Sequence, residues 1–298
     1  MSAEPTDLNA VLAWQLAAVE QHFIHVLTLK AWGDEESIRA IAAVDEVDLP
    51  NALRILDLMV SNGHLPDLGA CRISPGASHG EIFAAERRIE AELSAALRAA
   101  RSADPSSLID PSLAPRDSYG SWLLAQSTKR RGSCGLPQTL TETGKSSLDR
   151  LFSHLLIVIE QSLIHAFVLW HDRARRQAEI AWDTSAAAMK QAADITSLLA
   201  RRFLAPAPTA SGVLTPSLAK TLEASREVDR ALAEATCVAA ERAEQALSDP
   251  DPELAAVCRA SAATFRALSA WRPDRDPPAL GAPCQGFARV RQGILGLE

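Results

Sequence analysis

The sequence predicts an all-α protein made of two tandem four-helix bundles. Alanine and leucine are abundant, and no alternating β-branched run is bounded by hairpin turns, so helical periodicity has no strand-forming rival. The phrase AVEQHFIH at residues 18–25 returns as VIEQSLIH at 158–165, 140 residues later. A chain of 298 residues has room for two such units, each able to bury a core.

The first helix is expected to start near Thr6 or Asp7, either of which can cap it, and to end near Trp32, where Gly33 offers a left-handed stop. Its apolar residues, among them Leu12, Leu16, Val19, Phe23 and Val26, recur at helical spacing. A second helix covers about 35–62, with an interruption or kink expected at Pro50. NGHLPDLG closes it, a loop passes Pro75 and Gly76, and a third helix covers about 79–101. The stretch ADPSSLIDPSLAP separates this from a short fourth helix near 116–127. The second half repeats the plan with helices near 148–176, 178–204, 216–248 and 251–271, separated by APAPTASG and SDPDPE. The expected domains are bundle one at 1–126, a polar flexible linker at 127–147, bundle two at 148–272 and a Pro/Gly-rich tail at 273–298. That tail closes on the apolar FARVRQGILGLE, a docking peptide for a protein partner or an end packed on its own bundle.

The net charge of −7 and pI near 5.6 argue against nucleic acid or an anionic membrane as the main partner, because neither offers cationic complement. Five scattered cysteines without a C-x-x-C pair point to a reducing, cytoplasmic compartment. The opening MSAEPTDLNA shows no basic stretch followed by an apolar core, so no signal or transit peptide is expected. The apolar run LLIVIEQSLIHAFVLW carries Glu160, Gln161 and His165 and reads as a buried helix rather than a membrane span. Phosphate-loop, dinucleotide, nucleophile-elbow and zinc-protease patterns do not occur.

The letters EQHFIH, KAWG and HLPDLG, in one ungapped register over the first 70 residues, resemble the bacterioferritin family. The resemblance implies ferritin-like bundles, and two fused copies would form a pseudo-two-fold dimer within one chain. It also implies a test for ferroxidase chemistry. That family holds two irons with a carboxylate on the first and third helices and Glu-x-x-His on the second and fourth, because bridging carboxylates neutralise the metal charge. The matching positions here are Gln15, the pair Asp48 and Asn51, Glu90, and the pair Ser118 and Ser121. In the second copy they are Leu155, Ala188 and Gln191, Asp229, then Ala260 and Ala263. The di-iron set is not retained, so no catalytic residue is expected, and the leading reading is a non-catalytic interaction or assembly subunit linked to iron handling.

The competing reading is a haem- or iron-binding protein. His22, Asp48 and Glu90 form the candidate residual metal site for one divalent ion, against the plainer reading of a hydrogen-bonded polar remnant that also includes Gln15 and Asn51. AMKQAAD in the second half resembles the family's haem-ligand segment and makes Met189 the candidate haem ligand; the first half has Leu49 there, and methionine also serves as a core filler. The leading reading requires no cofactor. It expects a protein partner or homo-oligomer, with docking through Phe287 to Glu298. His25 and His165, retained in both copies, are expected to be hydrogen-bonded between helices.

Overall fold

The computed structural model describes residues 5–67, 73–103, 110–113, 115–128, 140–208, 218–219 and 221–271. All regular structure among these residues is α-helical, as the composition predicts. The chain divides into two compact units, one formed by Met1–Pro137 with Leu199–Ala205 and the other by Gln138–Leu198 with Pro206–Glu298.

In the first unit α1 spans Pro5–Ala31, α2 Glu35–Ser61, α3 His79–Ala103, α4 Asp110–Leu113 and α5 Arg116–Thr128. Gly33, at φ +73°, turns the chain between α1 and α2 where an L side chain would be strained. Asp34 then caps α2 by accepting from the Ser37 amide at 3.2 Å, and Glu35 and Glu36 complement the dipole of its first turn. Of the interruption or kink expected at Pro50, the interruption does not occur: α2 runs through it as one helix. Its ring is on the exposed face, where water can satisfy the carbonyl freed at Glu46, while Asp48 stays fully buried.

The connection between α2 and α3 travels back along the bundle. Asp67 is tied to Asn9 near the start of α1, the Ser74 amide donates to Gln21 Oε1 midway, and His79 meets Asp34 beyond the end of α1. Gly76 passes so close to α3 that a Cβ there would sit 2.5 Å from the Ile82 nitrogen. Consequently α3 runs antiparallel to α1 and parallel to α2. α5 then returns antiparallel to α3, with Arg116 at Glu90, Tyr119 at Glu86 and Trp122 against Phe83.

The second unit repeats this order with α6 (Glu142–His171), α7 (Arg175–Arg201, as far as Leu198), α8 (Leu222–Leu247) and α9 (Pro252–Ala270). Its crossover is pinned at one end by the Ala207 amide on Asp149 and at the other by the Ala219 amide on His165 Nε2. Those anchors are 16 residues apart on α6, about 24 Å of helix. Several boundaries differ from the expected ones, α6 ending at His171 and α7 spanning Arg175–Arg201, and two helix starts differ most. α6 begins at Glu142 inside the predicted 127–147 linker, because Thr141 accepts from the Gly144 amide at 3.1 Å and nucleates the helix early. α8 begins only at Leu222, where Thr221 caps it. Among the described residues α6 is long and apolar enough to cross a membrane, yet 94% of its most apolar window is buried within the fold.

Candidate functional site

Polar side chains fill the interior of the first unit in successive layers along α1. Gln15 opens the series: its amide donates to Ser112 Oγ at 2.8 Å and accepts from Asn51 at 3.4 Å. The next layer joins three helices through one guanidinium. Arg116 at the start of α5 donates through Nη2 to Asp48 on α2, through Nη1 to Glu90 on α3, and through Nε to the Ser112 carbonyl at 3.0 Å. All three guanidinium nitrogens are engaged, an arrangement that the planar fork of arginine allows and a lysine ammonium could not reproduce.

Burial works against the charge on Arg116, but Asp48 and Glu90 outweigh it and push its pKa up, so the cation is permanent. Glu90 goes the other way: burial pushes its carboxyl up more than Arg116 draws it down. Ser94, one turn along α3, donates to Glu90 Oε1 at 2.9 Å and satisfies the oxygen that Arg116 does not take.

The third layer centres on Glu86, which is fully buried. Its Oε1 meets His25 Nδ1 at 2.5 Å, and its Oε2 accepts from Tyr119 at 2.7 Å and faces His22 Nε2 at 3.2 Å. Burial alone would raise this carboxyl, but attraction to His22 and the bonds from His22 and His25 hold it well below the usual carboxylate range. The Tyr119 hydroxyl is pushed far up by burial and by the Glu86 charge, so it is a neutral donor. On its other side His22 Nδ1 faces Asp45 at 3.5 Å.

The three residues singled out as metal ligands are thus divided between layers. Asp48 and Glu90 come together with Arg116 between them, while His22 turns to Asp45 and Glu86. With a guanidinium seated between two of its members, that trio does not fit one divalent ion. Among the described residues no group of three or more His, Cys, Asp or Glu side chains could hold a metal. Met189 is on α7 with 2% of its surface exposed, and Leu49, its counterpart in the first unit, is likewise buried at 5%.

The fourth-helix register requires correction in both copies. Ser118 and Ser121 are exposed and donate to the Pro115 and Asp117 carbonyls on their own turn. Arg116 and Tyr119, also three apart, face inward instead. Ala260 and Ala263 are exposed as well, and α9 buries Cys258, Ala262 and Phe265. Sequence reasoning also missed Asp45 and Glu86. The available signal was spacing, since Asp45 precedes Asp48 by three and Glu86 precedes Glu90 by four, placing each pair on one helical face.

In the second unit His165 Nδ1 bonds Asp229 Oδ1 at 2.7 Å, and the Gln161 amide donates to the same oxygen at 2.8 Å. The repeated histidine therefore holds a third-helix carboxylate in each unit: Glu86 for His25, Asp229 for His165. Asp229 is the counterpart of Glu86 rather than of Glu90. In that register Glu90 corresponds to Ala233, and in the 140-residue register of the first two helices Asp48 corresponds to Ala188, both alanines buried. The acids that need Arg116 in one unit are absent from the other. The docking peptide Phe287 to Glu298 is outside the described residues. No model of a known protein family, no curated protein and no solved structure matches this chain.

Proposed function

We propose that this protein is a non-catalytic relative of the bacterioferritins, a tandem duplication of one ferritin-like bundle that acts as an interaction or assembly subunit in iron handling. The observation that carries the reading is Arg116, whose guanidinium joins Asp48 and Glu90 in the interior where a ferritin-like bundle would need metal between carboxylates. A permanent side-chain cation neutralises the remaining acids without recruiting an ion. The single long crossover in each unit and the histidine–carboxylate contact in both support the duplication. Partner binding is assigned to the apolar end of the tail, residues 287–298.

Two measurements test this. Purified protein given Fe(II) in air should oxidise it at the protein-free rate; rapid oxidation with stoichiometric iron bound would reject the non-catalytic reading. Deleting residues 276–298 should abolish recruitment of the protein partner while leaving Tm unchanged, and undiminished recruitment would reject the docking role.

A further inference from the structure

The second unit contains a cavity of about 350 Å³ framed by α6, α7, α8, α9 and Trp271, within the size range of small-molecule pockets. Its origin can be traced through the repeat. Ser162 stands where the first unit has His22, Ala181 where it has Ile41 and, in the register that pairs Asp229 with Glu86, Ala233 where it has Glu90. Each replacement shortens a wall side chain, and the backbone has not closed over the space removed. Val158, Ile180, Leu232 and Phe265 leave the chamber apolar.

Two arginines, Arg226 and the exposed Arg230, line the cavity together with the acids Glu223, Glu227 and Asp229. Arg226 occupies the position of Phe83, whose ring packs against Trp122 in the first unit. Once the Gln177 amide is turned to satisfy its own bonds, its oxygen accepts from Arg226 Nη2 at 2.9 Å. Arg226 Nε, by contrast, is buried with no hydrogen-bond partner, an arrangement that costs free energy unless something accepts from it. The lining acids do not answer it: Asp229 is taken by His165 and Gln161, and Glu223 and Glu227 are exposed at the rim, where water screens them.

We infer that this cavity binds a small amphipathic carboxylate, its hydrocarbon body in the chamber between Ala181, Ala233 and Phe265 and its head group accepting from Arg226. The site is independent of the Arg116 layer and of the non-catalytic reading. Calorimetric titration of the full chain with octanoate and with neutral 1-octanol tests it. Octanoate should bind saturably, one per chain, and roughly tenfold or more tighter than the alcohol, the difference expected of a charge-assisted bond. Arg226→Gln should remove that preference while leaving 1-octanol binding in place. Thr184→Phe, on the half-buried α7 wall, should plug the chamber and abolish both; Leu268→Trp on the α9 wall serves the same purpose if the first variant fails to fold. Absence of saturable octanoate binding, equal affinity for the two probes, an unaltered preference in Arg226→Gln, or full binding by a folded plugged variant would each overturn the assignment.

Discussion

Arg116 shows how one residue decides the chemistry of a core. Two carboxylates taken out of water are tolerable only if a cation meets them, and a guanidinium bonded to Asp48, Glu90 and the Ser112 carbonyl does so with no nitrogen left over. Glu86 is stabilised by different means, three donors rather than a permanent charge, and its depressed pKa makes its contribution complete above the ordinary carboxylate value of 4.5 and surrendered only on strong acidification. Glu160 behaves oppositely, because burial pushes its carboxyl up to about 7. A folded-state pKa above the unfolded one means the native protein holds the proton more tightly. That contribution is complete below about 4.5 and is lost as pH rises through 7. Glu160→Gln should therefore raise stability at pH 8 by up to ~3 kcal/mol and change little at pH 4.5, as read from paired urea melts. An equal effect at both pH values would show that the ionisation is not the cause.

At the scale of the element, the repeated helical phrase fastens the first helix of a bundle to its third. His25 does this through a carboxylate with no exposed side-chain surface, His165 through one that is 29% exposed. The consequence is unequal dependence. His25→Phe should cost roughly 2–4 kcal/mol by stranding part of Glu86, whereas His165→Phe should cost about 1 kcal/mol because water can reach Asp229. Chemical denaturation of both variants checks the order, and equal losses would mean that burial does not set it. The helices themselves were legible because each is long, apolar on one face and marked at its ends: Gly33 stops α1, and Asp34 caps α2. The fourth helix of each bundle was legible in extent too, near 116–127 and 251–271, but its inward face was not. α5 is only 13 residues long and follows a four-residue turn of helix, so too few periodic positions fix its phase, and Ser118 was read into the place that Arg116 takes. No rule of local sequence could have placed Arg116 opposite Asp48, 68 residues away, since that meeting depends on the crossover that sets α3 beside α1 and on the return of α5 against α3 and α2.

For the whole molecule, the two units share one helix order and have opposite interiors. The first holds buried acids and supplies its own cation; the second has buried Ala188 and Ala233 at the matching repeat positions and a cavity beside an arginine donor. Its thiols follow the same logic: Cys237 and Cys258 are unpaired and buried, and burial pushes Cys258 up to about 12, which leaves it unreactive. The central claim is that Arg116 fills the role of a metal in the first unit. Thermal melts of the wild type and of Arg116→Ala, each with and without Mn(II), test it most directly. Wild-type Tm should be indifferent to Mn(II), while Arg116→Ala should lose roughly 3–5 kcal/mol and regain part of it when the ion is added, since Asp48 and Glu90 then need another cation. A wild-type protein that takes up one Mn(II) per chain with a rise in Tm, and loses that response in Glu90→Gln, would contradict the account.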